Sequence, residues 1–273
     1  MSGQFMYLCR DGNLEGAKEL LQMYPNINIS TGNDFAFRAA CTNGHFEVAK
    51  WLLQIKPDIN ISGDVFPWVC FRGYLATAKW LLSVKPDINI SGENGCAFLW
   101  SCDQGHLEVA KWLLSVKPDI NISAKNEWAF RIACVNGHLE VAKWLLQVKP
   151  DINISAQDDQ AFRGACVNGH LELAKWLLQV KPDINISINN EEAFRYACNN
   201  GYLEVAEWLQ SLKPYLYVIE YDENGKYIGF KIREKEQANW EKRKYALHLV
   251  YQEENNLLYH LPIDIAKAVT QFV

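Results

Sequence analysis

The sequence predicts an α-class repeat solenoid, a stack of helix-turn-helix units closed by a small α+β cap at its C-terminal end. Three observations predict it. A cysteine returns at one position seven times (Cys9, Cys41, Cys70, Cys102, Cys134, Cys166, Cys198), at steps of 32 residues with one step of 29. A prolyl loop keeps the same register (Pro25, Pro57, Pro86, Pro118, Pro150, Pro182, Pro214), and six of the seven units carry a tryptophan (Trp51, Trp80, Trp112, Trp144, Trp176, Trp208). From Tyr215 the pattern stops. Self-similarity at a fixed period of this length marks an array in which each unit buries its apolar face on its neighbours, so no single large core is needed. Function is then sought in what differs between units.

The unit from Gly137 to Asn168 shows the order of elements. Leu139 to Val148 places Val141, Ala142, Leu145 and Leu146 on one stripe, with Glu140 and Lys143 toward water, which is the pattern of a short amphipathic helix. Pro150 stops it, and Asp151-Ile152-Asn153-Ile154-Ser155 alternates as an extended loop or hairpin arm. The polar stretch Gln157-Asp158-Asp159-Gln160 offers N-cap chemistry to the next helix, Ala161 to Val167, which ends at Asn168-Gly169. The third unit is the irregular one. Gly63-Asp64-Val65 stands where the next unit has Gly92 to Ala97, so a hairpin tip is expected to be missing, and Pro67 falls near a helix start, where proline is tolerated.

Residues 1–214 are read as seven units and residues 215–273 as the cap. Tyr215 to Arg233 reads as two strands joined by Asp222-Glu223-Asn224-Gly225, a hairpin signal. Helical segments are expected over Glu236 to Tyr251 and Pro262 to Phe272, closing the apolar end of the stack.

The composition is 49% hydrophobic and 22% charged, that of a folded chain rather than a disordered one. A formal net charge of −5 gives no general attraction for nucleic acid or anionic membrane. No apolar run approaches the ~20 residues of a membrane helix, and the N-terminus lacks the features of a secretory signal. Seven of the eight cysteines are products of duplication, which points to free thiols and a reducing, intracellular location.

Ala133-Cys134, Gly137-His138, Leu145-Leu146 and Asp151-Ile152-Asn153 resemble the ankyrin repeat, whose unit of about 33 residues carries an Ala-Ala pair, a Gly-His turn, a Leu-Leu second helix and an Asp-Val-Asn loop. The resemblance covers residues 4–214. Two departures stand out. The family's Thr-Pro-Leu-His opening is replaced by segments such as Trp128-Ala129-Phe130-Arg131, and its Gly-Ala by Lys149-Pro150. Arg38, Arg131, Arg163 and Arg195 are the candidates to replace the hydrogen bonds of the missing histidine. The variant consensus AFRxACxNGHLEVAKWLLQVKPDINIS is also similar to repeats carried by large DNA viruses of amoebae, which implies a host-cell cytoplasm or virion.

The cysteine-histidine pairs (Cys41/His45, Cys102/His106, Cys134/His138, Cys166/His170) invite a metal reading. A closed zinc site needs four converging ligands, whereas equivalent residues of successive units lie roughly 8–10 Å apart, so the cysteine is read as a small core residue and the histidine as part of the turn. The tryptophan row, each residue but Trp208 preceded by lysine, could stack on bases. With Glu47, Glu108, Glu140 and Glu172 one turn away to pair with those lysines, packing between second helices is the preferred reading. No phosphate-cradling Gly-rich loop, Gly-x-Ser-x-Gly elbow or His-Glu-x-x-His is present. The acidic pairs Asp158-Asp159 and Glu191-Glu192 are expected at exposed tips without a partner base. No enzyme activity, cofactor or metal is implied.

Positions that change while the framework stays are the candidate site. They are the tips (Asn33-Asp34-Phe35, Glu93-Asn94-Gly95, Asn126-Glu127-Trp128, Asp158-Asp159-Gln160, Asn190-Glu191-Glu192) and the pair after each repeated cysteine. The family resemblance implies that they line a concave, protein-gripping face. The expected partner-binding residues are Trp68, Phe71, Arg72, Trp100, Asp103, Glu127, Trp128, Asp158, Asp159 and Gln160, because aromatic residues and Arg dominate interface energetics. Leu261-Pro262 before Ile265 and Val269 also resembles the opening of an F-box, as at the ends of some poxvirus ankyrin proteins. That implies an alternative as substrate adaptor of a cullin ubiquitin ligase, against a plain capping helix. A soluble monomer with an unidentified protein partner, no nucleic acid and no membrane, is the default expectation.

Overall fold

The computed structural model describes residues 1–61, 65–90 and 92–233, with the backbone alone for 92–95. It divides into two compact units, Met1–Ala156 and the chain from Gln157 onward. The first holds five helix pairs: α1 (Ser2–Arg10) with α2 (Leu14–Met23), α3 (Thr31–Thr42) with α4 (Phe46–Ile55), α5 (Val65–Phe71) with α6 (Leu75–Val84), α7 (Gly92–Asp103) with α8 (Leu107–Val116), and α9 (Ala124–Val135) with α10 (Leu139–Val148). The second holds α11 (Ala156–Val167) with α12 (Leu171–Val180), α13 (Ile188–Asn199) with α14 (Leu203–Leu212), and an antiparallel hairpin of β1 (Tyr217–Tyr221) and β2 (Tyr227–Ile232).

Every first helix buries a Phe and a Cys four residues apart, and four of them bury a full Ala-Phe-x-x-Ala-Cys face. In α9 these are Ala129, Phe130, Ala133 and Cys134, all 0% exposed, and α3, α11 and α13 bury the same set. Removing one such phenylalanine from water is worth about 1.5–3 kcal/mol, repeated once per unit. The cysteines behave as small apolar residues. Burial pushes the Cys9 thiol up to about 12 and Cys198 to about 11, and raises Cys41, Cys70, Cys102, Cys134 and Cys166 as well. On the second helix of the type unit Val141, Ala142 and Leu145 are buried, as the stripe requires, while Leu146 is half-buried.

The tryptophans pack on first helices as well as between second helices, where Trp80 of α6 meets Phe46 of α4 edge-on at 5.4 Å. Trp51, Trp80, Trp112, Trp144 and Trp208 each lie over the phenylalanine of the preceding unit's first helix, with ring centroids 6.1 Å apart for Phe5–Trp51 and 6.2 Å for Phe37–Trp80, Phe66–Trp112, Phe98–Trp144 and Phe162–Trp208. They remain half-buried. The phenylalanines are the buried partners because the first helices are flanked on both sides, whereas the second helices keep one face in water.

The turn between the two helices interlocks neighbouring units. After α7 the chain enters the left-handed region at Gly105 (φ 76°), and the His106 N–H reaches back to the Ser101 carbonyl at 2.8 Å, closing the helix end. The ring of His138, one unit on, lies against Gly105 and makes a 2.9 Å hydrogen bond from Nε2 to the Asp103 carbonyl, so this nitrogen carries the proton. His45 lies on Gly12 and His106 on Gly73 in the same way, and Tyr74 and Tyr202 serve on Gly44 and Gly169.

The predicted hairpin tips are absent where the structure describes them. Four of them are single left-handed turns at the head of a first helix: Gly32, Asn33 and Asp34 in α3, Lys125 to Glu127 in α9, Gln157 to Asp159 in α11, and Asn189 to Glu191 in α13, all with φ between 53° and 67°. Asn, Asp and Gly tolerate this region, while Lys, Gln and Glu enter it at a cost and need tertiary support. The arginine one turn into the helix supplies it. Arg131 Nε donates to the Asn126 carbonyl at 2.6 Å and Nη2 to the Lys125 carbonyl at 3.0 Å, and Arg163 makes the same pair to Asp158 and Gln157 at 2.7 and 3.2 Å. Arg131 and Arg163 thus each tie the left-handed turn to the helix that follows it.

The acidic residues of these turns correct the expectation of exposed, partnerless tips. Asp34 and Asp159 are each 6% exposed. Asp34 Oδ2 accepts from the Asn60 amide at 3.0 Å, and Asp159 Oδ2 from the Asn185 amide at 3.2 Å, in both cases 26 residues along the chain. Glu192 forms an ion pair with Arg163, and Glu191 accepts from the Tyr217 hydroxyl.

The third unit is short where the sequence is short, with seven residues in α5 against twelve in α3, α7, α9, α11 and α13. Its expected missing tip falls on residues 62–64, outside the described residues. The hairpin agrees in register with its turn signal: Tyr217 pairs with Ile232, Ile219 with Phe230, and Gly225 (φ 77°) closes the turn, its N–H donating to the Asp222 carbonyl at 3.0 Å. Phe194, whose equivalents Phe5, Phe37, Phe66, Phe98 and Phe162 lie beneath tryptophans, is stacked by Tyr217 at 4.1 Å and 7° and met edge-on by Phe230 at 5.6 Å. The helices expected over 236–251 and 262–272 lie outside the described residues.

Candidate partner-binding surface

Trp68 and Phe71 are three residues apart on α5 and so share a helix face. Trp100 is Trp68's equivalent one unit on, and α5 and α7 lie side by side. Three aromatic rings therefore meet: Trp68–Phe71 at 5.2 Å and 80°, Trp68–Trp100 at 5.5 Å and 49°, and Phe71–Trp100 at 6.2 Å and 81°. The edge-on geometries suit the ring quadrupoles. The Arg72 guanidinium lies 6.0 Å from the Phe71 centroid. Trp68 remains 46% exposed, Arg72 is exposed, and Phe71 and Trp100 are half-buried. At the position shared by Trp68 and Trp100 the other units carry Tyr7, Ala39, Ile132, Gly164 and Tyr196, so nothing in the repeat framework requires an indole there.

Beside this cluster an open groove of about 320 Å³ runs along the first helices of the first three units. Trp68 and Arg72 form one wall, Phe35 and Arg38 of α3 another, and Arg10 of α1 closes it. Phe35, Arg38 and Arg10 join the site only through the stacking of α1, α3 and α5. Arg10 occupies in its unit the place that Phe71 holds in the third, which is the signal that was available in the repeat alignment.

The remaining predicted residues do not gather there. Asp103 is half-buried and tied to the next unit, its carboxylate and carbonyl both accepting from Asn136 Nδ2 at 2.9 Å. Glu127 belongs to a left-handed turn, and Trp128 beside it is half-buried. In the second unit Asp158 is exposed and Gln160 half-buried, whereas Asp159 is buried in its structural hydrogen bond. Leu261, Pro262, Ile265 and Val269 lie outside the described residues. Among the described residues no three His, Cys, Asp or Glu side chains converge as metal ligands, and no helix is long and apolar enough to cross a membrane. Three of the five lysines beside the tryptophans are paired within their helices, Lys111 with Glu108 at 3.0 Å, Lys143 with Glu140 at 3.1 Å and Lys175 with Glu172 at 3.0 Å.

Comparison with known proteins agrees with the repeat fold. A family model described as "Ankyrin repeats (3 copies)" matches residues 67–158, and one described as "Ankyrin repeats (many copies)" matches residues 164–210, so that together they span half of the chain. The fold is similar to the crystal structure of the human ASB11 ankyrin repeat domain, with a TM-score of 0.53 and 19% identity over 75% of this chain and 96% of that one. No match was found among curated proteins.

Proposed function

The chain belongs to the ankyrin-repeat proteins, and from that premise we propose that it is a non-enzymatic scaffold that binds a protein through the Trp68–Phe71–Trp100 surface and Arg72. One observation carries the reading: three aromatic rings are gathered on adjacent first helices, at positions the repeats leave variable, with Trp68 46% exposed. A solvated indole backed by two further rings is the kind of anchor that dominates interface energetics. In this reading residues 1–214 form the binding array and residues 215–273 its cap, the Tyr217–Phe194 stack supporting the second assignment. The eight free thiols support a reducing, intracellular setting.

The test is affinity capture from a lysate of amoeba cells, the hosts that the repeat resemblance suggests, with the wild type and the exposed-face variants Trp68→Ala and Trp100→Ala. A partner retained by the wild type and lost from both variants, with unchanged helical circular dichroism, is expected. Equal recovery by all three would remove this surface from the function. The F-box-like run from Leu261 supports the second reading, a ligase adaptor, which predicts that a chain ending at Tyr259 loses a cullin-associated component but keeps its other partners.

A further inference from the structure

Among charged clusters outside the structural network, the groove between α1, α3 and α5 is distinguished by its sign. Arg10, Arg38 and Arg72 all line it, and no acidic side chain does so among the described residues. This runs against a chain whose formal net charge is −5. Arg10 is bridged by its exposed neighbour Asp11 at 2.8 Å, a contact weak enough at the surface to be shared with an incoming carboxylate. Guanidinium groups match carboxylates with paired N–H donors, and Phe35 and Trp68 supply an apolar wall between them.

We infer that this groove binds an acidic peptide segment of the partner, with carboxylates on Arg10 and Arg72 and one apolar side chain against Trp68 and Phe35. The inference rests on the protein-binding reading above and gives that partner its chemistry. A volume of about 320 Å³ is at the small end of the ~300–1,000 Å³ of ligand clefts, which fits a short stretch of peptide. A nucleic-acid strand is disfavoured by the formal net charge of −5 and by the glutamates that hold Lys111, Lys143 and Lys175 on their second helices.

The experiment is fluorescence anisotropy with a fluorescein-labelled peptide of glutamates flanking one leucine, its counterpart with every Glu replaced by Gln, and a labelled single-stranded oligonucleotide. Full-length wild type is compared with Arg10→Glu, Arg72→Glu, Trp68→Ala and, as a distant charge control on the hairpin turn, Lys226→Glu. Binding of the Glu peptide is expected, weakening with salt, falling roughly 10-fold or more for the Gln peptide and for each groove variant, and unchanged for Lys226→Glu. No binding, equal binding of the two peptides, insensitivity to both arginine variants, or preference for the oligonucleotide would overturn the inference. A lysate partner lost with Trp68→Ala but retained by both arginine variants would overturn it while leaving the protein-binding reading standing.

Discussion

A methyl group added to Gly105 tests the interlock between units most sharply. Built on the present backbone, it would stand 2.5 Å from His138 Nδ1 and 2.8 Å from Cε1 and Cγ. The ring cannot simply swing away, because its Nε2–H is bonded to the Asp103 carbonyl at 2.9 Å. Three costs follow for Gly105→Ala. An alanine in the left-handed region loses about 1–2 kcal/mol, partly offset in the unfolded chain. Forcing the ring aside costs about 1–3 kcal/mol as overpacking, and loss of its hydrogen bond about 1 kcal/mol. The total is on the order of 3–5 kcal/mol. In a His138→Ala background only the backbone cost remains, about 1 kcal/mol, so a double-mutant cycle should give a coupling of about 2–4 kcal/mol. His138 makes no side-chain cap bond to α10, so its removal does not open a second account in that helix. Urea unfolding followed by circular dichroism, with midpoint and slope both fitted because repeat arrays can lose two-state behaviour, measures all four corners. If Gly105→Ala costs the same with and without the imidazole, the inter-unit ring contact does not explain the glycine.

Three further outcomes are expected. Burial holds His106 below its ordinary 6.5 despite a hydrogen bond to the Phe71 backbone, so the folded state keeps it neutral and the unfolded state takes up the proton first. Its stabilising contribution is therefore present above about pH 6.5 and lost as pH falls; His106→Tyr, the residue used at Tyr74 and Tyr202, should flatten that decline in denaturation midpoints measured between about pH 7 and 5. Tyr217→Ala should cost about 3–5 kcal/mol by unstacking Phe194, while Tyr217→Phe, losing only the hydroxyl on Glu191, should cost about 1 kcal/mol; equal losses in thermal unfolding would show that the stack is not what matters. Ellman's reagent should find one fast thiol in the native protein, Cys96, since the other seven cysteines are buried, and Cys96→Ser should abolish that phase while denaturant releases the rest.

The period, the Ala-Cys face and the Gly-His turn were legible because each expresses a local rule repeated in every unit. A Phe and a Cys four residues apart fall on one helix face whatever their neighbours do, as at Phe130 and Cys134. The hairpin of residues 217–232 was legible for the same reason, through Asp222 to Gly225. The left-handed turns were not. Lys125, Gln157 and Glu191 have no local preference for positive φ, and what holds them is an arginine further along the same helix or a donor 26 residues away. Read without those partners, the same residues looked like exposed tips.

The candidate site divides along the same line. The sequence by itself determined that the chain is an array and that Trp68, Phe71, Arg72 and Trp100 are departures from its consensus, because a residue that breaks a repeat is visible by comparison with its own copies. Only the tertiary structure decided which departures act together. Stacking α5 on α7 brings three rings within 6.2 Å, and placing α1 and α3 alongside adds Arg10, Arg38 and Phe35, while Asp103 and Asp159 are drawn into bonds between units. The physical reason is that burial and hydrogen bonding between units depend on distances across neighbouring repeats, which sequence spacing alone does not encode.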